Sequence, residues 1–171
     1  MHKHEVELNY KIGIISISTS RSKRYGELRG IDKIGDFDES SKIVYETFKE
    51  NVVNYVLIPD DVDKIRKAIS EVLRDADVCI TIGGTGISPS DVTIEAVKPM
   101  FTKELEGFGE IFRMLSYKEI GVSAALTRAV AGLIGHKVVF CLPGSRDAVK
   151  LGVDIIKQLI KHLLSHARGL T

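Results

Sequence analysis

The stretch TIGGTGISPSDVTIEAV, residues 81–97, places Gly83, Gly84 and Gly86 within four positions at the end of an apolar run. Without Cβ atoms, backbone N–H groups can close around an anion such as phosphate. SDVTIE reads as a helix start, with Ser90, Asp91 or Thr93 as cap and Glu95 in the first turn. A helix amino terminus there would add a positive dipole end beside the cradle. No Lys-Ser/Thr pair follows the glycines and G-x-G-x-x-G is missing, so neither a Walker loop nor a dinucleotide fingerprint is present. The bland reading of the same residues is a Gly-rich connection into a capped helix.

Two acids stand at comparable places. Asp60 follows Pro59 after VVNYVLI, and Asp91 follows the glycines. A carboxylate pair at one sheet edge can hold Mg²⁺ or hydrogen-bond an amide-like heterocycle. The plainer readings are a turn residue for Asp60 and a cap for Asp91. Arg21, Lys23 and Arg24 can reach phosphates or simply be solvated. Cys79 in VCITI and Cys141 in VVFCLP read as buried, reduced thiols on strands, with no Cys or His close by in sequence to complete a metal pair. His162 and His166 are spaced i, i+4, but HLLSH lacks the Glu that a zinc-protease helix carries.

The elements that must position these residues alternate. Strands are expected over residues 11–18 (KIGIISIS), 52–58, 77–82 and 137–142, and helices over 38–50, 62–74 and 147–167. Residues 19–37 read as a long loop, and 100–119 as a helix broken or re-entered around Gly107 and Gly109. Residues 124–134 fit either period. Strand–helix alternation predicts parallel strands with right-handed crossovers: an α/β, three-layer, doubly wound, mostly parallel sheet. Ligands in such sheets bind beyond the carboxyl ends of the strands. That edge gathers residues 18–22, Pro59-Asp60-Asp61, residues 83–91 and Pro143-Gly144-Ser145.

Composition narrows the class. The 171 residues suit one domain, with 1–10 and 166–171 expected as loose tails. Apolar residues at 44% and charged residues at 27% are ordinary globular values. Twenty-four Lys+Arg against 23 Asp+Glu leave +1, which provides no electrostatic footprint for nucleic acid. No apolar run nears the ~18 residues that span a bilayer, and the amino-terminal residues show no signal-peptide core, so a cytoplasmic protein is expected.

In combination, GGTGISPSDVT, EGFGEIFRMLSYKEIG, TRAVAG and FCLPGS, in this order and spacing, resemble the MoaB/Mog family of molybdenum-cofactor biosynthesis. The likeness runs from about residue 11 to 164 and is closer to the MoaB branch in residues 107–121. The resemblance implies transfer of AMP from ATP to molybdopterin with release of pyrophosphate, with Mg²⁺ on the phosphates. It implies catalytic, Mg²⁺-binding roles for Asp60 and Asp91. A pterin and phosphate site follows at Gly83, Gly84, Thr85, Gly86, Ser88 and Thr93, extended by Glu106, Gly107 and Ser116. Nucleotide contacts follow at Ser18, Pro143, Gly144 and Ser145. It further implies self-association to a trimer or hexamer and the pathway's metal-insertion protein as a partner. IFRML and AALTRAVAGLIG add apolar surface beyond the needs of one small core. A pterin- or nucleotide-binding scaffold without turnover is the alternative, and a CinA-like hydrolase is a third. The chain departs from the family pattern in Thr19 after Ser18, Ser90 before Asp91 and Ile94 after Thr93.

Overall fold

A computed structural model describes residues 8–171. In chain order the elements are β1 (Ile12–Ile17), α1 (Thr19–Tyr25), α2 (Glu39–Thr47), β2 (Val52–Ile58), α3 (Val62–Asp75), β3 (Val78–Ile82), α4 (Thr93–Val97), β4 (Lys103–Glu104), α5 (Glu106–Ile120), β5 (Val130–Ile134), β6 (Lys137–Leu142) and α6 (Arg146–Ala167). The strands form one six-stranded sheet in the order β2-β1-β3-β6-β5-β4. β2, β1, β3 and β6 run parallel, and β5 and β4 add an antiparallel edge. Every residue of β1 and β3 is buried, as near-continuous apolar strands covered on both faces must be.

Two cores sandwich the sheet. On one face Val44 of α2 and Phe48 just after it, Phe108 and Phe112 of α5, and Val149, Val153 and Ile156 of α6 pack on Ile14, Tyr55, Ile80 and Phe140. On the other, Ile65, Ile69 and Val72 of α3 and Ala96 and Val97 of α4 cover Ile15, Val56, Cys79 and Cys141. This is the three-layer, mostly parallel arrangement expected. Both thiols are fully buried and free. Burial drives the Cys79 thiol well above its usual range and the Cys141 thiol up to about 12.

Several local expectations change. Residues 19–37 are not one loop: α1 occupies their first third, and a 3₁₀ turn runs over Ile31–Lys33. α1 buries none of its residues, so it leaves no apolar period in the sequence; Ser18 starts it as cap, and Gly26, at φ +83°, stops it. α5 is continuous through Gly107 and Gly109, whereas residues 98–105 form a 3₁₀ turn and β4 before it begins. The ambiguous residues 124–134 are the end of a 3₁₀ segment followed by strand β5. At the carboxyl end α6 runs to Ala167, and Arg168 donates to the Asn9 carbonyl and pairs with Asp77 at 3.4 Å. The expected tail at 1–10 lies largely outside the described residues.

Candidate active site

The carboxyl ends of the four parallel strands carry the predicted groups. β1 runs into Ser18, whose N–H donates to the Ile58 carbonyl at 2.9 Å and whose Oγ accepts from the Arg21 N–H at 3.2 Å. β2 ends at Pro59-Asp60. Asp60 Oδ2 accepts from the Thr19 N–H (3.2 Å) and Oγ1 (2.7 Å), while the Asp60 N–H donates back to Thr19 Oγ1 at 3.0 Å. Asp60 is therefore more than a turn residue, because it ties the ends of two adjacent strands together.

β3 ends in the glycine loop. Gly83 (φ +105°) and Gly84 (φ +71°) adopt backbone conformations that side chains disfavour. A Cβ on Gly83 would lie 2.3 Å from the Ile17 carbonyl oxygen. On Gly84 it would lie 2.2 Å from Thr93 Oγ1 and 3.0 Å from Asp60 Oδ1. Thr93 closes the loop: its N–H donates to the Gly84 carbonyl at 3.0 Å and its Oγ1 to the Gly83 carbonyl at 2.8 Å. β6 delivers Pro143-Gly144-Ser145 alongside. The Gly83 N–H donates to the Leu142 carbonyl at 2.9 Å, and a Cβ on Gly144 would sit 3.5 Å from the Gly83 Cα. Ser145 caps α6 by accepting from the Ala148 N–H at 3.3 Å. Ser18, Asp60, the glycine loop, Thr93 and the 143–145 turn thus share one edge.

Asp91 stands at the far end of the loop. Its Oδ2 accepts from the Ser88 N–H at 3.1 Å, its own N–H donates to the Ser88 carbonyl at 2.9 Å, and a Cβ on Gly86 would fall 2.6 Å from Oδ2. The expected helix start differs. α4 begins at Thr93 after Val92 and has no side-chain cap, so neither Ser90, Asp91 nor Thr93 caps it. Asp91 closes a turn instead, and with only five helical residues the expected dipole end beside the cradle is weak.

Three residues of the site escape the sequence reading. Arg128, inside TRAVAG, donates from Nε to the Thr85 (3.2 Å) and Gly86 (3.1 Å) carbonyls and from Nη2 to Gly86 at 2.6 Å. Its Nη1 pairs with Glu95 Oε1 at 2.5 Å, and this hydrogen bond lowers the Glu95 carboxyl below its ordinary value. Asp38 is wholly buried, accepting from the Ser41 N–H (3.2 Å), Ser41 Oγ (2.8 Å) and the Tyr55 hydroxyl (2.7 Å). Burial, reinforced by the Asp38 carboxylate, pushes the Tyr55 phenol up. Ser40 reaches across 104 residues to donate to the Gly144 carbonyl at 2.8 Å, fixing the 143–145 turn. The available signal is thin: an Asp that caps α2, followed by Glu39, Ser40 and Ser41.

Not every predicted residue converges. Glu106 lines a cleft of about 600 Å³ on the other side of Arg128, with Lys98, Glu104, Glu110 and Arg113. Gly107 is exposed, and Ser116 is buried on α5, about 15 Å along the helix from Glu106 at 1.5 Å per residue. Arg21 is engaged with the Phe37 carbonyl at 2.9 Å, and the Arg24 guanidinium lies 5.3 Å from the Tyr25 ring centre. The edge offers a glycine-loop backbone flanked by two carboxylates. Asp60 Oδ1 and Asp91 Oδ1 make no hydrogen bond among the described residues, so each acid has one oxygen to offer a cation. No cluster of three metal-ligating side chains occurs among those residues. That donor set suits Mg²⁺, which takes one or two carboxylates and fills its remaining sites with substrate phosphates and water.

A doubly wound sheet with such a loop at its parallel edge is, in class, an α/β domain that takes ligands beyond the carboxyl ends of its strands. Its family follows from comparison with known proteins: the family described as "Probable molybdopterin binding domain" matches residues 13–162, and the chain belongs to it. The chain is 42% identical to the molybdopterin adenylyltransferase of Pyrococcus furiosus, over 98% of this chain and 96% of that one. It is 43% identical to the molybdenum cofactor biosynthesis protein B of Staphylococcus epidermidis, over 97% and 94%. The crystal structure of the tungsten cofactor synthesizing protein MoaB from Pyrococcus furiosus superposes with a TM-score of 0.83 at 40% identity, covering 95% of this chain and 99% of that one.

Proposed function

We infer that this chain is a molybdopterin adenylyltransferase of molybdenum- or tungsten-cofactor biosynthesis. The observation that carries this reading is the meeting of Asp60, Gly84 and Thr93 at one sheet edge, beside the Gly83–Gly144 contact. Similarity to a protein named for that activity, extending over 98% of the chain, supports it. In the reaction, an oxygen of the molybdopterin phosphate attacks the α-phosphorus of ATP. One P–O bond forms, the bond to pyrophosphate breaks, and AMP is left on the pterin. No side chain acts as a covalent nucleophile, so catalysis rests on positioning and charge neutralisation.

The chain's own groups divide the work. Residues 83–86 line the pterin phosphate site, with the backbone N–H groups after Gly83 as its donors, since the Gly83 N–H is held by the Leu142 carbonyl. The 143–145 turn, held by Ser40, takes the nucleotide, with Ser18 at the neighbouring strand end. Asp60 and Asp91 would hold Mg²⁺ by one oxygen each, and Mg²⁺ would supply neutralisation of the phosphate charge. Of the residues that the family resemblance adds, Glu106 stands in the adjoining cleft and extends substrate binding there, whereas Gly107 and Ser116 are set apart from the edge. The described residues include no helix long and apolar enough to cross a membrane. A cytoplasmic location fits an enzyme that uses ATP.

The same reading includes a homo-oligomer, a trimer or hexamer, and a metal-insertion protein that takes the product. Supporting self-association, Ile111, Met114, Tyr117, Ile120, Val122 and Leu126 are each at least 46% exposed on α5 and the 3₁₀ segment behind it. Of the apolar sequence set aside for contacts, Phe112, Ala124, Ala129, Val130 and Ala131 are in the core instead. Incubation with Mg²⁺, ATP and molybdopterin, read as adenylated pterin and pyrophosphate, tests the activity. Tight binding of both substrates without product would establish the scaffold reading instead.

A further inference from the structure

We propose that Arg128 is a positioning residue: it gathers the carbonyls of Thr85 and Gly86 so that the next two amide N–H groups face the anionic substrate. The inference rests on the pterin-phosphate reading of the glycine loop and assigns a role to a side chain outside it. Arg128 spends its donors inward. Nε bonds both carbonyls, Nη2 bonds Gly86 at 2.6 Å, and Nη1 is taken by Glu95 at 2.5 Å. A trans peptide is planar, with C=O and N–H pointing in opposite directions, and the described chain has no cis peptide bond. Turning the Thr85 and Gly86 carbonyls toward one guanidinium therefore turns the N–H groups of Gly86 and Ile87 away from it. Neither N–H has a hydrogen-bond acceptor among the described residues. Successive amides aimed to one side form the concave donor set that binds phosphate.

Charge balance favours positioning over direct contact. The Arg128 cation is paired with Glu95, whose carboxyl it lowers, so the guanidinium does not stand open to a phosphate. Its planar fork serves two carbonyls and a carboxylate together, a pattern that a lysine ammonium cannot reproduce. Arg128 also forms a shared wall between the 600 Å³ cleft that contains Glu106 and the smaller hollow lined by Ser88, Asp91 and Glu95. A loosened Arg128 would free the loop from both sides.

Two variants decide the matter: Arg128→Lys and Glu95→Gln, titrated anaerobically with molybdopterin and separately with Mg²⁺-ATP by calorimetry, with melting temperatures alongside. A positioning role predicts that Arg128→Lys binds molybdopterin about tenfold or more weakly although the charge is retained. Glu95→Gln should be weaker by about threefold because the guanidinium loses its orienting partner. Affinity for Mg²⁺-ATP should stay within about twofold of wild type in both, an unequal effect that general destabilisation would not give. Wild-type molybdopterin affinity in Arg128→Lys, or tighter binding in Glu95→Gln, would overturn the inference; the second would mean that a released guanidinium grips the phosphate itself. A wild-type chain that binds molybdopterin without turnover would break only the catalytic reading, since the variant affinities would still decide the role of Arg128. A wild-type chain that does not bind molybdopterin overturns both.

Discussion

The two halves of the sheet solve different problems. The parallel half, β2-β1-β3-β6, ends in groups already committed to one another: Thr19 with Asp60, Thr93 with Gly83 and Gly84, and Ser40 with Gly144. The antiparallel half, β5 and β4 with α5, leaves apolar side chains in water, Val122 at 79% exposure and Tyr117 at 58%. One half is a preorganised polar edge and the other an unfinished surface. Their difference teaches where rigidity is needed. Transfer between two bound phosphates depends on fixed donors, whereas association can be completed by a second surface.

The largest effect should come from filling the preorganised edge. Gly84→Val forces a branched Cβ into a left-handed backbone and against Thr93 Oγ1. Turnover should fall by more than about a hundredfold, with weaker binding of molybdopterin by calorimetry. Unchanged affinity here and in Gly86→Val would reduce the loop to a connection. The unfinished surface is tested by Met114→Glu. It should shift the protein toward monomer in light scattering at micromolar concentration while leaving the fold intact by circular dichroism. A monomeric wild type would remove the oligomer from the account.

Beneath the polar edge, Asp38→Ala strands the Tyr55 hydroxyl and the Ser41 donors in the interior. A loss of about 2–3 kcal/mol in urea unfolding is expected. A change under about 0.5 kcal/mol would mean that the buried network contributes little.

The smallest effect concerns the thiols behind the sheet. The Cys141 pKa is raised by burial from 9.0 to about 12, so its stabilising contribution is full below about pH 9 and is lost as pH rises toward 12. The slope approaches about 1.4 kcal/mol per pH unit for one thiol. Cys141→Val should flatten the fall of melting temperature between pH 9 and 11. An equally steep fall in the variant would assign alkaline lability to other groups.

What could be read without coordinates was uneven for physical reasons. β2 and β6 were placed to the residue, and α3 and α6 within one, because buried strands and amphipathic helices carry strong apolar signals. α1 was missed because it buries nothing, and the start of α5 because residues 98–105 switch from a 3₁₀ turn to a two-residue strand within eight positions. The glycine loop, Asp60 and Asp91 announced themselves by type and by their place after apolar runs. Arg128 and Ser40 did not, since their partners are backbone carbonyls 42 to 104 residues away. Such contacts have no local signature.

The central claim is that the polar edge transfers AMP to molybdopterin, and it is tested most directly by one assay. Wild type, Asp91→Asn and Asp60→Asn are each incubated with Mg²⁺, ATP and molybdopterin, and adenylated pterin is quantified beside the melting temperature. The account predicts product with wild type and none with Asp91→Asn, whose melting temperature should be nearly unchanged. It predicts a weaker loss with Asp60→Asn if that acid only orients the substrate. Full activity in Asp91→Asn with a melting temperature several degrees lower would show that the acid merely closes a turn, and would contradict the account.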